Sequence, residues 1–373
     1  MEQPITTSRA LLAALITSAE NESSDPSSSD AAAAVKQLAT AVVDKIASRA
    51  VSYEDQLVRA CEFLSGVYTR EGLYARAADS LARISDLESG MKQVDSRIKL
   101  DMYLKVCHLY LMDGNSMSDA DGFLRKAMSL LGGLDEGKIE DRGLILRYLS
   151  CSARILDGRY RFSEAAAKYL DLSKKMGASG VGAVLDMGRG RALESAVACA
   201  LLSDAGPQRS RLLAQLYKDD EVKAMGAYPI LEKVFLDRLL EGDDVDAFRH
   251  ALGDQDRGQM GRWGLDVVQL AIVQHNLLAC SKLYKNVEIG SLARLFGVDE
   301  ELTTAVVSAM VGEGRLIGAE IDQVDGVVSF DVDVAGEEDD VGALSSNHAE
   351  EAIALADAAL AKVAARYGDA VTI

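Results

Sequence analysis

Amphipathic helices recur in pairs along the middle of this chain, each pair turning at a glycine, and this recurrence restricts the fold more than any other feature. In DQLVRACEFLSGVYTREG, Leu57, Cys61, Leu64 and Tyr68 form one helical stripe before Gly72. LYARAADSLARI then returns with Tyr74, Ala77, Leu81 and Ile84. The unit repeats as MYLKVCHLYLMDG followed by SDADGFLRKAMSLL, and as LRYLSCSARILDGRY followed by FSEAAAKYLDL. Gly72, Gly114 and Gly158 lie roughly 43 residues apart, within the period of helical-repeat arrays. Small residues (Ala77, Ala120, Ala165) follow each turn, where two helices need a close approach. An irregular bundle with chance spacing is the competing reading; three phased units favour the array. The expected fold is mostly α, with a right-handed TPR/HEAT-like solenoid over residues 51–245.

The array continues less regularly through ALESAVACALLSDAG to Pro207, which can start a helix after the Ala205-Gly206 stop. RSRLLAQLYKDDEV and PILEKVFLDRLLEGDDVDAFRHAL supply further amphipathic helices, and a long helix is predicted near Asp266 to Tyr284. Residues 1–50 read as helices near 9–19 and 31–50, on either side of a hydrophilic Ser-rich linker, NESSDPSSSD, at 21–30.

Residues 246–335 read as a winged helix. In IGSLARLFGVDEE, Leu292, Ala293 and Phe296 have helical spacing, Gly297 breaks the chain and Asp299 can cap the next helix. That helix places Leu302, Val306 and Met310 on one face and ends at Gly314. GAEID and GVVSF flank Asp325-Gly326, a dipeptide suited to a two-residue hairpin turn. Val327, Val328 and Phe330 make the second strand β-prone. It is expected either to offer an open edge to a partner or to close the unit's own sheet.

Residues 336–373 comprise an acidic hinge and a terminal helix. There Ile353, Ala356, Leu360, Val363 and Tyr367 fall in heptad register. So short a heptad is marginal alone. It is expected to dock either on this chain or in a helical bundle shared with other subunits, with Ile353, Leu360, Val363 and Tyr367 as partner-binding residues.

Charge decides what the winged helix meets. Between Leu270 and Ala335, Lys282, Lys285, Arg294 and Arg315 face ten acidic residues, and the whole chain carries a formal charge of −18. A DNA reader gains affinity by releasing counterions from phosphates, which needs cations. Self-repulsion at this charge likewise argues against nucleic acid and anionic membrane as partners. No apolar run approaches the ~20 residues of a membrane span, and no apolar segment follows the amino terminus as in a signal peptide. The five cysteines are far apart, odd in number and set in apolar helices, the pattern of buried thiols in a reducing compartment. The chain is expected to be cytoplasmic and nuclear.

Signals for chemistry are weak. Gly132 to Ile139 fits GxxxxGK, but Ile139 replaces the magnesium-holding Ser/Thr, Asp135 and Glu136 repel phosphate, and a helix precedes the loop where a strand is needed. Gly188-Arg189-Gly190 and Gly180-Val181-Gly182 lack the third glycine of a dinucleotide site. His108, His250, His275 and His348 form no metal-binding spacing. No catalytic residue, cofactor or metal is expected.

The layout of helical repeats, winged helix and lone terminal helix resembles the PCI-domain family, scaffold subunits of the proteasome lid, the COP9 signalosome and a translation initiation factor. Ala205–Gly242, Gln274–Val298 and Ile321–Asp331 are similar to the signalosome branch, the family of its fourth subunit; VSYEDQ at Val51 and Cys151–Tyr169 support this. The resemblance spans most of Val51 to Asp331, and Gln274 stands where that family usually has Glu. It implies a non-catalytic subunit contacting other signalosome subunits of PCI and MPN type. It also implies the cullin–RING ligase as the substrate complex from which another subunit removes a ubiquitin-like modifier. A proteasome-lid PCI subunit and a winged-helix DNA regulator are the alternatives.

Overall fold

The structure is a computed structural model that describes residues 10, 13, 14, 17, 29–47, 53–88, 95–133, 138–177, 187–251 and 265–330. Among these lie fifteen α-helices and one three-stranded sheet. The chain divides into two compact units, Met1–Leu236 with Leu240–Ala271, and Asp237–Leu239 with Ile272–Ile373. This division falls inside a helix, between Ala271 and Ile272.

The first unit opens with α1 (Ser29–Ala47), then pairs α2 (Glu54–Arg70) with α3 (Tyr74–Glu88), α4 (Ser96–Asp113) with α5 (Met117–Leu130), and α6 (Ile139–Gly158) with α7 (Phe162–Gly177). The predicted stripes form the core: Leu57, Cys61 and Leu64 of α2 are buried with Tyr68 half-buried, and Ala77, Leu81 and Ile84 of α3 are buried. Ala77, Ala120 and Ala165 are all fully enclosed, which confirms the close helix approach inferred after each turn. Asp95 caps α4 by accepting from the Arg97 N–H.

Gly72 and Gly114 end α2 and α4 in the left-handed region, at φ +75° and +77°, and the Leu73 N–H bonds back to the Tyr68 carbonyl at 2.9 Å. The third turn differs from the expectation. Gly158 belongs to α6, and Tyr160 takes the left-handed position at φ 60°, with the Arg161 N–H returning to the Leu156 carbonyl at 3.0 Å. At Gly158 the α6 backbone passes close to the methyl end of the Met117 side chain. The Tyr160 ring is held edge-on against Phe162, 5.8 Å between centroids.

Polar contacts tie successive helix pairs together at separations of 31 to 46 residues. Arg97 pairs with Asp141 at 3.0 Å, Arg147 with Asp101 at 2.5 Å, Arg159 with Asp121 at 2.9 Å, and the Tyr110 hydroxyl donates to Asp79 at 2.7 Å. The residue numbers of the α4–α6 contacts rise together, so those helices run parallel, one repeat apart. Further on, α8 (Arg189–Leu202) is buried almost all round, and α9 (Pro207–Tyr217) starts at Pro207 as predicted. The buried Arg209 donates to the carbonyls of Ala200 (3.3 Å) and Leu201 (3.1 Å), satisfying acceptors at the end of α8 that have no intrahelical partner. The helices α10 (Asp220–Lys223), α11 (Tyr228–Phe235) and α12 (Gly242–Ala251) follow.

The second unit runs α13 (Val267–Leu283, from Ile272), β1 (Asn286–Glu288), α14 (Ile289–Phe296), α15 (Glu300–Gly312), β2 (Ala319–Asp322) and β3 (Val327–Phe330), the element order of a winged helix. Gly297 and Gly314 take positive φ where each helix stops. Asp299 occupies the cap position of α15, but its side chain makes no capping bond; its carbonyl accepts from both the N–H and the hydroxyl of Thr303 at 2.9 Å. The hairpin is also longer than expected. Asp322 pairs with Val327, so Gln323 to Gly326 form a four-residue loop in which the Asp322 carboxylate accepts from the Val324 and Asp325 N–H groups at 2.9 and 3.1 Å. Only Gly326 takes a positive φ there, whereas a two-residue type I′ turn needs two such residues.

Candidate protein-interaction site

The helix that would read DNA in a winged helix is α15. Its inner face is Thr303, Val306, Val307 and Met310, all buried. Outward it begins with exposed Glu300 and Glu301, and its sequence EELTTAVVSAMVG holds no Lys or Arg. Carboxylates suit a helix amino terminus, where they meet the positive end of the dipole. They leave the helix nothing with which to neutralise a phosphate. Three of the four cations in this stretch are engaged: Lys282 with Asp237 at 2.5 Å, Arg315 with Glu313, and Arg294 with the Gly290 carbonyl (3.2 Å) and the Ser291 hydroxyl (3.1 Å); Lys285 is exposed.

The sheet decides between the two readings of Val327, Val328 and Phe330. The strand order is β1-β3-β2, so β3 is the central strand and pairs on both sides, with Val287 and Ile321 both opposite Val328. It closes the unit's own sheet, with Val328 fully enclosed and Phe330 buried. Among the described residues, β1 and β2 are the edge strands of the sheet. Since Phe330 N–H donates to Lys285 O at 2.6 Å and Ile289 N–H to Gly326 O at 2.8 Å, alternation along β3 leaves Ser329 and Val327 to bond Glu320 and Asp322. The backbone N–H and C=O of Ile321 therefore point away from β3, along the free side of β2. Exposed apolar side chains flank the sheet: Leu283 and Tyr284 before β1, Ile317 before β2, and Val324 at the hairpin tip, 94% exposed. Ile353, Leu360, Val363 and Tyr367 lie outside the described residues.

The remaining sequence signals resolve into packing. Lys138 is exposed at the start of α6, and Leu131–Gly133 is a 3-10 turn at the end of α5, so the GxxxxGK segment joins two helices. His275 is buried, its Nε2–H donating to the Arg238 carbonyl at 2.8 Å, while His108 is half-buried. Among the described residues no group of three or more His, Cys, Asp or Glu is placed to hold a metal ion. No described helix is long and apolar enough to cross a membrane. Sequence reasoning missed two features: the burial of Arg209, hinted at by an arginine in the first turn after Pro207, and a stack of Tyr217 on Phe235 (4.5 Å) and Tyr228 (5.7 Å).

Comparison with known proteins bears on both units. The family described as PSMD12/CSN4, N-terminal, matches residues 5–178, and the PCI domain matches residues 232–332. The COP9 signalosome complex subunit 4 of Arabidopsis thaliana is 36% identical over 300 residues, 80% of this chain and 73% of the relative. Its counterpart in Emericella nidulans is 36% identical over 79% of this chain and 70% of its own length, and that of Drosophila melanogaster 35% over 79% and 69%. The chain belongs to the COP9 signalosome subunit 4 family, whose PCI domain here takes in the winged helix.

Proposed function

We propose that this chain is a non-catalytic scaffold subunit of a COP9 signalosome, holding other PCI and MPN subunits in place while the assembly removes a ubiquitin-like modifier from cullins and so regulates cullin–RING ligases. The observation that carries the reading is an acidic winged helix, unsuited to phosphate, in a chain alike to subunit 4 over four fifths of its length. Its contact surface is the free side of β2. There the outward amides and carbonyls of Ile321 can add a neighbour's strand, and Glu320 and Asp322 on either side bias the neighbour toward a basic or neutral strand. The edge of β1 is shorter, three residues confined between α13 and α14. Purification of the tagged chain from its own cells, followed by mass spectrometry, tests the reading. Signalosome subunits and cullins are expected; recovery of proteasome-lid subunits instead overturns it.

A further inference from the structure

Three arginines reach from α6 and its end to the helix pair before it, and one finds no carboxylate. Arg147 meets Asp101 of α4 at 2.5 Å, and Arg159 meets Asp121 of α5 at 2.9 Å. Arg154, half-buried and between them along the chain, pairs with no carboxylate among the described residues. Its Nη1 and Nη2 both lean on the Met112 sulfur instead, at 4.0 and 3.8 Å. A thioether is a weak acceptor. Two guanidinium N–H groups converging on one point is also the arrangement that grips a carboxylate. Met112 is 43% exposed, and its unbranched side chain can swing aside. The guanidinium is thus held ready by a partner that an anion can displace.

The surrounding charge favours that anion. Asp101, Lys105, His108 and Met112 succeed one another at helical spacing along one face of α4, and Arg147 and Arg154 do so on α6 beside it. Lys105 and Arg147 share the single carboxylate of Asp101, at 2.7 and 2.5 Å, and the Lys105 side chain is 55% exposed. Along this seam Lys105, Arg147 and Arg154 therefore outnumber Asp101, in a chain whose formal charge is −18. Asp157, the next turn of α6, ends the strip. We infer that the seam between α4 and α6 docks an acidic peptide segment of another protein. One of its carboxylates takes the Arg154 fork, displacing Met112, and another takes Lys105 and Arg147. Arg147 and Arg154 are seven residues apart, so the two carboxylate positions lie about 10 Å from each other along the helix. A short segment feels mainly this strip, because salt screens charges beyond roughly 8–10 Å. A long polyanion such as nucleic acid would overrun onto acidic surface and be repelled. The inference does not rest on which assembly the chain joins.

The test titrates the full chain into a fluorescein-labelled octaglutamate peptide at low salt and reads fluorescence anisotropy. Saturable binding is expected, weakening as salt is added. Arg154→Gln, which keeps the apolar stem, should weaken it at least tenfold, and Arg154→Glu should abolish it. Met112→Leu removes the sulfur that the carboxylate displaces and should not weaken binding. Circular dichroism checks each variant. Should Arg154→Gln fail to fold, Lys105→Gln at an exposed position carries the same test, with an expected loss of about threefold. Arg294→Gln in the second unit is the control for general attraction and should bind like the wild type. No saturable binding, or binding that folded Arg154→Gln and Lys105→Gln both leave intact, overturns the site. Equal weakening by Arg294→Gln overturns it as well. Tighter binding of an oligothymidylate of the same charge would make the seam a polyanion site and overturn the peptide as its occupant.

Discussion

Between Ser29 and Leu202 the buried side chains are handed from each helix pair to the next, whereas between Ile272 and Phe330 they converge on a sheet with β3 at its centre. In the repeats, small residues such as Cys61, Ala77, Ala120 and Ala165 fill the helix crossings, and ion pairs such as Arg97–Asp141 bridge one repeat at a time. A lesion there reaches its neighbours and no further. In the winged helix, β3 bonds both other strands. A lesion in β3 removes two pairings at once. The first unit is thus a platform that tolerates local damage, and the second a small cooperative unit whose edge strands depend on its centre.

The sharpest way to break this contrast is a matched pair of core substitutions. Val328→Pro removes an N–H from the middle of a central strand and should cost the winged helix about 3 kcal/mol or more. Leu104→Ala, at a buried position of α4, should cost about 2–5 kcal/mol. Hydrogen exchange separates their reach. Val328→Pro should strip protection from the whole of 272–330 and leave 96–202 intact, while Leu104→Ala should loosen α4 and its direct neighbours alone. Loss of protection across all the repeats in Leu104→Ala would show that the array folds as one block.

Each unit also carries a buried thiol that reports on it: Cys61 in the first, Cys280 in the second. Burial raises both from 9.0 to about 11. A raised folded-state value means the native state keeps a proton that the unfolded chain has lost, so the stabilisation is complete below pH 9 and disappears as pH climbs toward 11. At one pKa unit per 1.36 kcal/mol, each unit should lose roughly 2–3 kcal/mol over that window. Urea midpoints followed by probes placed in each unit measure it. Cys61→Ala should flatten the alkaline limb of the first unit only; an unchanged limb in both would mean that other groups set the alkaline loss.

At the turns the expected effects are smaller. Gly114→Ala forces a side chain into φ +77° and should cost about 1–2 kcal/mol by chemical denaturation. A neutral result would mean the turn relaxes to another geometry. Such turns also mark how far the sequence could be read. The stripes of α2 and α3 and the stops at Gly72 and Gly114 were legible because helical periodicity and a left-handed cap are both local. Gly158 misled, since the left-handed residue of that turn is Tyr160, and nothing nearby in sequence forecasts a tyrosine there. Val327 to Phe330 were readable as a strand. Their central place was not, because β1 lies some 40 residues earlier in the chain and is only three residues long. The candidate interaction site was half legible: the missing cations of α15 show in its sequence, but which strands are the edges depends on strand order.

The mildest substitution tests that edge. Ile321→Pro places in β2 the same residue that should wreck β3 when put at 328, but here the lost N–H points away from the ladder. The expected cost is about 1 kcal/mol, mostly from the half-buried side chain, so the isolated chain should keep its circular dichroism spectrum and its protection over 272–330. Assembly should respond far more strongly. If a neighbouring subunit adds its strand along β2, the variant loses an N–H that the new ladder needs, and proline's ring obstructs the approach. Co-elution with partner subunits should then require at least tenfold more protein, a penalty of about 1.4 kcal/mol. Asn286→Pro on the opposite edge, where Asn286 also faces away from β3, is the control and should assemble at wild-type concentration. A folded Ile321→Pro chain that assembles normally while Asn286→Pro fails would transfer the docking edge to β1. Normal assembly by both would remove the sheet from the interface altogether.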